Sequence, residues 1–444
     1  SDHDRAMEAA GEGAVVGRFD GSDFVHRDTR ARFFRRDGRF WIHTDGPDGK
    51  PADFAVLHTF GVRPLQQYLL ARPGGRLQAF TVAWDARTKE EGGQRWFRLQ
   101  PDEPMPPGDV MHWTGVSQNW NTMCADCHST AYAKNYDPAQ DAFAPTWAEI
   151  DVACEACHGP GEKHVAWAKT EPRPALDGFG LAVDLRDDGA TWVMQAERGI
   201  AARSRPLAST AELDSCAPCH ARRSQIVAPA APGASFLDGY LPSLLEDGLY
   251  FADGQIRDEV FEWGSFVQSR MHAAGVRCSD CHDPHSLEVR GGVEAVCLQC
   301  HAAERFAAKE HHGHTPGGVG SRCVDCHMPE RVYMEVDARR DHSFRVPRPE
   351  LTRAVGVPNA CTGCHADRTP DWADEAIAAW RGGARAARPE FATALARAWG
   401  GDPGAVGQLA AIAADRGFAD IVRASAVAAL EPYPAPAAAR AIGA

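Results

Sequence analysis

Over residues 1 to about 110, apolar and polar positions alternate in short runs punctuated by Gly, Pro and Asp, the pattern of antiparallel strands. The clearest case is Arg32 to Ile42, where Asp37-Gly38 sits between two aromatic-rich runs and predicts a two-residue hairpin turn. Asp53 to Phe60, Arg76 to Asp85 and Gln94 to Leu99 read as further strands, separated by turns such as Pro73-Gly74-Gly75. This segment is expected to be a small packing module, with ligand binding the lesser alternative.

From Cys124 to His365 the periodicity is lost. Frequent Gly and Pro predict short helices and loops, including an Ala/Pro-rich loop at Ala228 to Ser235. After about Pro370, helical periodicity predicts Trp372 to Trp380, Glu390 to Trp399, Ala405 to Ala414 and Ile421 to Leu430 as antiparallel hairpins resembling HEAT-type repeats. Such repeats need neighbours to cover their apolar faces, so the tail is expected to be incomplete at Ala444. The expected division is a β-rich segment 1–110, a cofactor-bearing core 111–368 and an Ala-rich helical tail 369–444. The expected fold class is mainly α with few regular elements, a small antiparallel β segment at the N-terminus and a HEAT-like tail.

The cysteines supply the chemistry. All fourteen lie in seven Cys-x-x-Cys-His pentapeptides: Cys124/Cys127/His128, Cys154/Cys157/His158, Cys216/Cys219/His220, Cys278/Cys281/His282, Cys297/Cys300/His301, Cys323/Cys326/His327 and Cys361/Cys364/His365. Two thiols three residues apart on one helical turn can add to the two vinyl groups of one porphyrin, and the adjoining imidazole then reaches the iron. Seven covalently bound haems c are therefore expected, each histidine being the proximal ligand. Zinc sites combine cysteine pairs without a histidine after every second one, and a disulfide framework has no reason to repeat one pentapeptide.

The formal charge of −13 makes nucleic acid an unsuitable partner, and the two propionates of each haem deepen it. A redox partner with a basic docking face fits, as does self-assembly or a larger complex. The chain has no run of 18 apolar residues, hence no predicted membrane-spanning helix, and its first residues lack a signal-peptide core. Thioether attachment of haem implies export, so a periplasmic, extracellular or cell-surface location in a bacterium is expected.

Nineteen histidines less seven proximal ones leave twelve for seven sixth positions. The strongest distal candidates are His164, His285, His342 and one of His311, His312 and His314, with His312 and His314 the expected ligands of the three. His3, His112 and His272 are further candidates, whereas His26, His43 and His58 in the β segment read as structural or surface residues.

The stretches Trp113 to His128, Cys154 to Gly161, Gly275 to His285 and Cys323 to Pro329 resemble multihaem cytochromes of the lineage that contains hydroxylamine oxidoreductase, pentahaem nitrite reductase and tetrahaem electron carriers. Thr59 to Tyr68, Asp341 to Pro349 and Pro358 to His365 extend the likeness to a subgroup with a helical-repeat tail. The resemblance implies a further haem motif upstream of Ser1, with His3 as a distal ligand. Two functions follow. The favoured one is electron transfer along closely packed, mostly bis-histidine haems; the alternative is an oxidoreductase acting on a small nitrogen or sulfur compound at one open iron. The best candidate for that iron is the Cys216/Cys219/His220 haem, because no other histidine lies between His164 and His272.

Overall fold

A computed structural model of the chain describes residues 3–227, 231–383 and 389–433. Positions 228–230 of the Ala/Pro-rich loop and 434–444 of the tail lie outside them. The chain forms two compact units: Ser1–Leu185 with Val227–Gly239 and Val332–Asp337, and Arg186–Ile226 with Tyr240–Arg331 and Ala338–Ala444.

The first unit is built on a nine-stranded antiparallel sheet: β1 (Met7–Ala9), β2 (Ser22–His26), β3 (Thr29–Arg36), β4 (Arg39–Asp45), β5 (Pro51–Phe60), β6 (Leu65–Arg72), β7 (Arg76–Ala79), β8 (Val82–Asp85) and β9 (Arg95–Arg98). The order is β2-β3-β4-β5-β6-β8-β9, with β1 beside β5 and β7 beside β6. Asp37 and Gly38 both have positive φ, 52° and 70°, and close the β3–β4 hairpin with Arg36 opposite Arg39, as two-residue turns require. Alternation then sends Ala31 and Phe33 of β3, and Phe40 and Ile42 of β4, into one core with Phe19, Tyr68, Phe80, Trp84 and Trp113.

The predicted run Arg76 to Asp85 is two strands, because the chain breaks at Phe80 and its halves pair with opposite ends of β6. β6 itself shows no alternation. Leu65 to Leu70 are all buried, and the buried Gln66 amide donates to the carbonyls of Ala14 and Gly61 at 2.9 and 3.1 Å, so polar positions that would mark a solvent face are satisfied inside.

Phe33 is fully buried and stacks on Trp96 with ring centres 3.5 Å apart and planes 5° from parallel. Removing so buried a ring costs about 3–5 kcal/mol. Phe33→Ala is accordingly expected to lower the stability of this unit by that amount in denaturant titration, and a loss below about 1 kcal/mol would show that the core does not depend on the stack.

In the second unit the elements are short. Two small hairpins, Trp192–Gln195 with Ile200–Arg203 and Arg223–Gln225 with Tyr240–Pro242, lie among helices of four to ten residues, followed by Pro370–Arg381, Ala392–Trp399, Val406–Ala414 and Asp420–Ala428. Pro370–Arg381 begins where the Thr369 hydroxyl accepts from the Trp372 N–H at 3.2 Å and ends at Gly382, φ 73°. Leu409, Ile412, Ile421, Val422 and Ala426 are buried along the last two helices. Helix makes up 30% of the chain and strand 21%, so the expectation of a mainly α protein is not supported. The reason is local: a Cys-x-x-Cys-His motif needs only one helical turn, and the N-terminal sheet is larger than the hydrophobic pattern suggested. Among the described residues no helix is long and apolar enough to cross a membrane.

Candidate functional site

Each motif closes a single turn. The histidine N–H of His128, His282, His301 and His365 donates to the carbonyl of the first cysteine at 3.2, 2.9, 3.0 and 2.8 Å. The motifs at Cys154, Cys216 and Cys323 lie within the helices Cys154–His158, Ala211–His220 and Cys323–His327, which also carry Cys157, Cys219 and Cys326. An i to i−4 turn puts residues three and four apart on one side, so two thiols and one imidazole share a face.

The first motif departs from the expectation that both thiols stand on one regular helical turn. Cys124, at φ −123° and ψ −37°, is a break between the helices Trp120–Met123 and Ala125–His128, and only Cys127 lies inside the second of them. The turn is tightened to compensate: the Cys127 N–H donates to the Cys124 carbonyl at 3.1 Å, the same carbonyl that accepts from His128. The physical reason is the chain before it, because Trp120 is fully buried against the sheet and Cys124 packs on the edge of that cluster. Cys127 thus keeps its place three residues from Cys124. Cys154 and Cys364 are exposed and the other twelve cysteines, Cys127 among them, are half-buried; none of the fourteen is joined in a disulfide.

The packing around these turns fits a large cofactor. Cys154–His158, Glu162–Ala168, Arg270–Ala273, Cys278–Cys281, Val293–Leu298, Ala303–Phe306, Lys309–His312 and Ala360–Cys364 bury none of their residues against protein. Helices of four to seven residues are marginal alone, and these keep their side chains half-buried or exposed. A porphyrin on the thiol-bearing face would cover them, so the residues present fit that group.

A second observation concerns the imidazoles of the second unit. An imidazole nitrogen binds a transition-metal ion at about 2.0 Å and its ring centre lies about 1.1 Å behind, so two imidazoles on opposite sides of one ion have centres roughly 6.2 Å apart. His282 and His342 are 6.2 Å apart, His311 and His327 6.0 Å, and His314 and His365 6.1 Å, with planes 21–36° from parallel. His312 and His314 also lie 6.2 Å apart, but His312 is engaged through both nitrogens: Nε2 faces the Ala307 carbonyl at 3.3 Å and Nδ1 accepts from the His314 N–H at 3.1 Å. The structure thus brings two of the three clustered histidines opposite motif histidines, and one of them is His311, where the sequence predicts His312 and His314.

These rings are aimed by their second nitrogens. Nδ1 is held by a backbone carbonyl in His327 (Arg345, 2.7 Å), His314 (His312, 2.7 Å), His342 (Arg340, 3.0 Å) and His164 (Phe179, 2.8 Å), leaving Nε2 for a metal. Gly320, φ 80°, lets the chain lie against the His314 ring, since a Cβ there would fall 2.8 Å from its Cδ2. Burial lowers the pKa of His272, His282, His301, His311 and His327, that of His311 to about 4, so they stay neutral as ligands must.

His220 is held differently: its Nδ1 lies 2.9 Å from Glu262 Oε2, and the Glu262 N–H donates to the His220 carbonyl at 3.2 Å. Burial, the largest single influence, raises the Glu262 carboxyl, and the hydrogen bond with His220 together with the charges of His220, His342 and Arg339 outweighs it, bringing it to about 2.

The remaining candidates are placed as follows. His272 lies 5.4 Å from the Phe266 ring, on a small apolar cleft bounded by Leu207, Leu213, Val276 and Cys278. The exposed His285 has its backbone N–H on Asp283 Oδ1 at 2.9 Å. In the first unit, His112 is buried with Nδ1 on Thr114 Oγ1 at 2.8 Å, the His3 carbonyl accepts from Ala6 and Val152, and the His128 ring packs 4.5 Å from Phe60. His43 faces Asp53 at 2.8 Å on the sheet surface.

Motif adjoins motif through the second unit. The Cys278 thiol is lowered chiefly by a hydrogen bond with Cys216, and that of Cys297 by one with Cys323. Burial first, then charge on Asp280, Cys297 and Cys300, pushes the Cys281 thiol up to about 12; burial, then Cys361, Asp325 and Cys364, brings Cys326 to about 11. The motifs at 216, 278, 297, 323 and 361 therefore follow one another in space as in sequence. The 59-position separation of Cys219 and Cys278 does not keep their motifs apart, because Arg277 of the second pairs with Glu212 on the helix of the first, whose carboxylate also accepts from the Ser279 N–H at 2.7 Å.

Residues 109–159, which hold the first two motifs, match the family described as cytochrome c554 and c-prime. With five further copies of the pentapeptide, the match supports a multihaem c-type cytochrome. Among solved structures, the outer cell wall cytochrome OcwA aligns with 99% of this chain and 95% of its own, at 16% identity and a TM-score of 0.49. No curated protein matches the chain.

Proposed function

We propose that this multihaem cytochrome is an electron carrier in which seven haems c, held by the fourteen motif cysteines and seven proximal histidines, are mostly ligated by two imidazoles. Bound haem supplies one-electron redox chemistry at its iron. The observation that carries the reading is the near-parallel approach of His342, His311 and His314 to His282, His327 and His365 at 6.0–6.2 Å, which leaves room for one iron between each pair and none for a substrate. The serial order of the five motifs supports a path along the second unit. For its remaining proximal histidines, His220 and His301, the candidates are His272 and His285; His272 suits His220, because its cleft is bounded by Leu213 of the His220 helix. In the first unit the thiols are those of Cys124, Cys127, Cys154 and Cys157, and His3, His112 and His164 are the candidate distal ligands.

The same proposal includes the division at about 110 and 368, a HEAT-type tail, membership of the hydroxylamine oxidoreductase lineage with an eighth motif upstream, export to the periplasm or cell surface, and a redox partner with a basic face. The test is the oxidised holoprotein. Absorption and electron paramagnetic resonance spectra should show predominantly low-spin iron and intact mass should show seven haems on these residues. Predominantly high-spin iron would overturn the carrier reading in favour of oxidoreduction of a small nitrogen or sulfur compound.

A further inference from the structure

We propose that Glu262 is a positioning residue which, acting through His220, makes the centre bound at Cys216 and Cys219 the lowest in reduction potential among the five motifs of its unit. The proposal deepens the haem-carrier reading and rests on it. Glu262 holds His220 twice: its carboxylate accepts from the ring at 2.9 Å, and its backbone N–H donates to the His220 carbonyl at 3.2 Å. The second bond fixes where the carboxylate stands. Its own carbonyl accepts from Phe266 at 2.8 Å, so Glu262 is also anchored to the start of the helix Trp263–Phe266. The Arg339 guanidinium nearby is bound to Glu259 at 2.7 Å.

The contrast lies in the acceptor. His327, a proximal ring of the same unit, faces the Arg345 carbonyl, a dipole without net charge, and the rings of His314 and His342 likewise face backbone carbonyls, those of His312 and Arg340. An ionised carboxylate pulls harder on the ring proton and makes the other nitrogen a more basic ligand, and a more basic ligand favours the ferric over the ferrous state. One glutamate thus distinguishes this centre from that of His327. As the first motif of the unit in sequence and in space, it would set the downhill direction of electron flow along the series.

Glu262→Gln keeps an oxygen acceptor of the same reach and removes the charge; Glu262→Asp keeps the charge and shortens the reach. The experiment is a spectroelectrochemical titration of the full holoprotein, with haem content checked by intact mass. In Glu262→Gln the lowest step should rise by at least tenfold in its one-electron equilibrium, about 59 mV, with the other steps in place. In Glu262→Asp the same step should move by less. Variants with full haem content whose titrations superimpose on the wild type, or in which only a higher step moves, overturn the proposal. If Glu262→Gln does not mature, Glu262→Asp decides by the same criterion. A wild-type protein without covalently bound haem would instead overturn the reading on which the proposal rests.

Discussion

Replacing His342 with alanine should convert one haem in seven from low spin to high spin and leave the rest untouched. His342 stands 6.2 Å, ring centre to ring centre, from His282, and its Nδ1 is tied to the Arg340 carbonyl at 3.0 Å. Its backbone is as firmly set. The buried Asp341 accepts from the Ser343 N–H at 2.7 Å and from the Ile256 N–H at 3.1 Å, so the loop keeps its course when the imidazole is removed. No other described histidine is within reach by the ring contacts seen here; Phe344, 6.0 Å away, cannot ligate. The His282 iron then binds carbon monoxide or cyanide at about one equivalent per chain, against almost none in the wild type, and added imidazole restores the low-spin spectrum. A wild-type spectrum in a fully loaded His342→Ala protein would remove His342 from the ligand set.

The pairing that this variant tests was only partly legible. Sequence counting showed a surplus of histidines and a cluster at 311, 312 and 314, but not which of them face motif residues. Lys309–His312 is one helical turn, on which successive side chains diverge by about 100°, so His311 and His312 point apart. Gly313 then takes φ 76° and turns the chain, which sends His314 to His365 while His311 meets His327. Such divergence depends on a tertiary fold that the local pattern does not encode. Motif adjacency was hidden for a similar reason, since the Arg277 and Glu212 pair closes a long loop invisible in the spacing of cysteines.

The sheet divides along the same line. The β3–β4 hairpin was readable because its turn chemistry is local and one face is wet. β6 was not, because its two glutamines are buried and bonded to main chain, which erases the alternation that marks a strand. The motif pentapeptides were the most legible feature, since their chemistry needs only one turn of contiguous sequence. Even there the break at Cys124, which leaves Cys127 alone on its helix, came from packing against the sheet and not from the motif.

The largest effect is expected when haem attachment is prevented altogether. The sheet carries its own protein core in Phe19, Phe33, Phe40, Tyr68, Phe80 and Trp84. These need no cofactor. Several short helices around the motifs have no fully buried residue, and at four to six residues each is far below the roughly 12–15 residues at which an isolated helix becomes even marginal. On the proposed haem-carrier reading, their ordering depends on porphyrins bonded to the cysteines. Expressed without the attachment machinery, the chain should keep the strand signal of its first 110 residues in circular dichroism and lose most ordered structure between Cys154 and His365. Limited proteolysis read by mass spectrometry should then cut that span first, with opening free energy near zero instead of that of a folded unit, and so at least about a hundredfold faster than in the holoprotein. An N-terminal fragment of about 110 residues should survive. Equal resistance of the haem-free and haem-bearing chains across Cys154 to His365 would mean that protein contacts alone hold the motif region, and the carrier reading would lose the packing argument on which it leans.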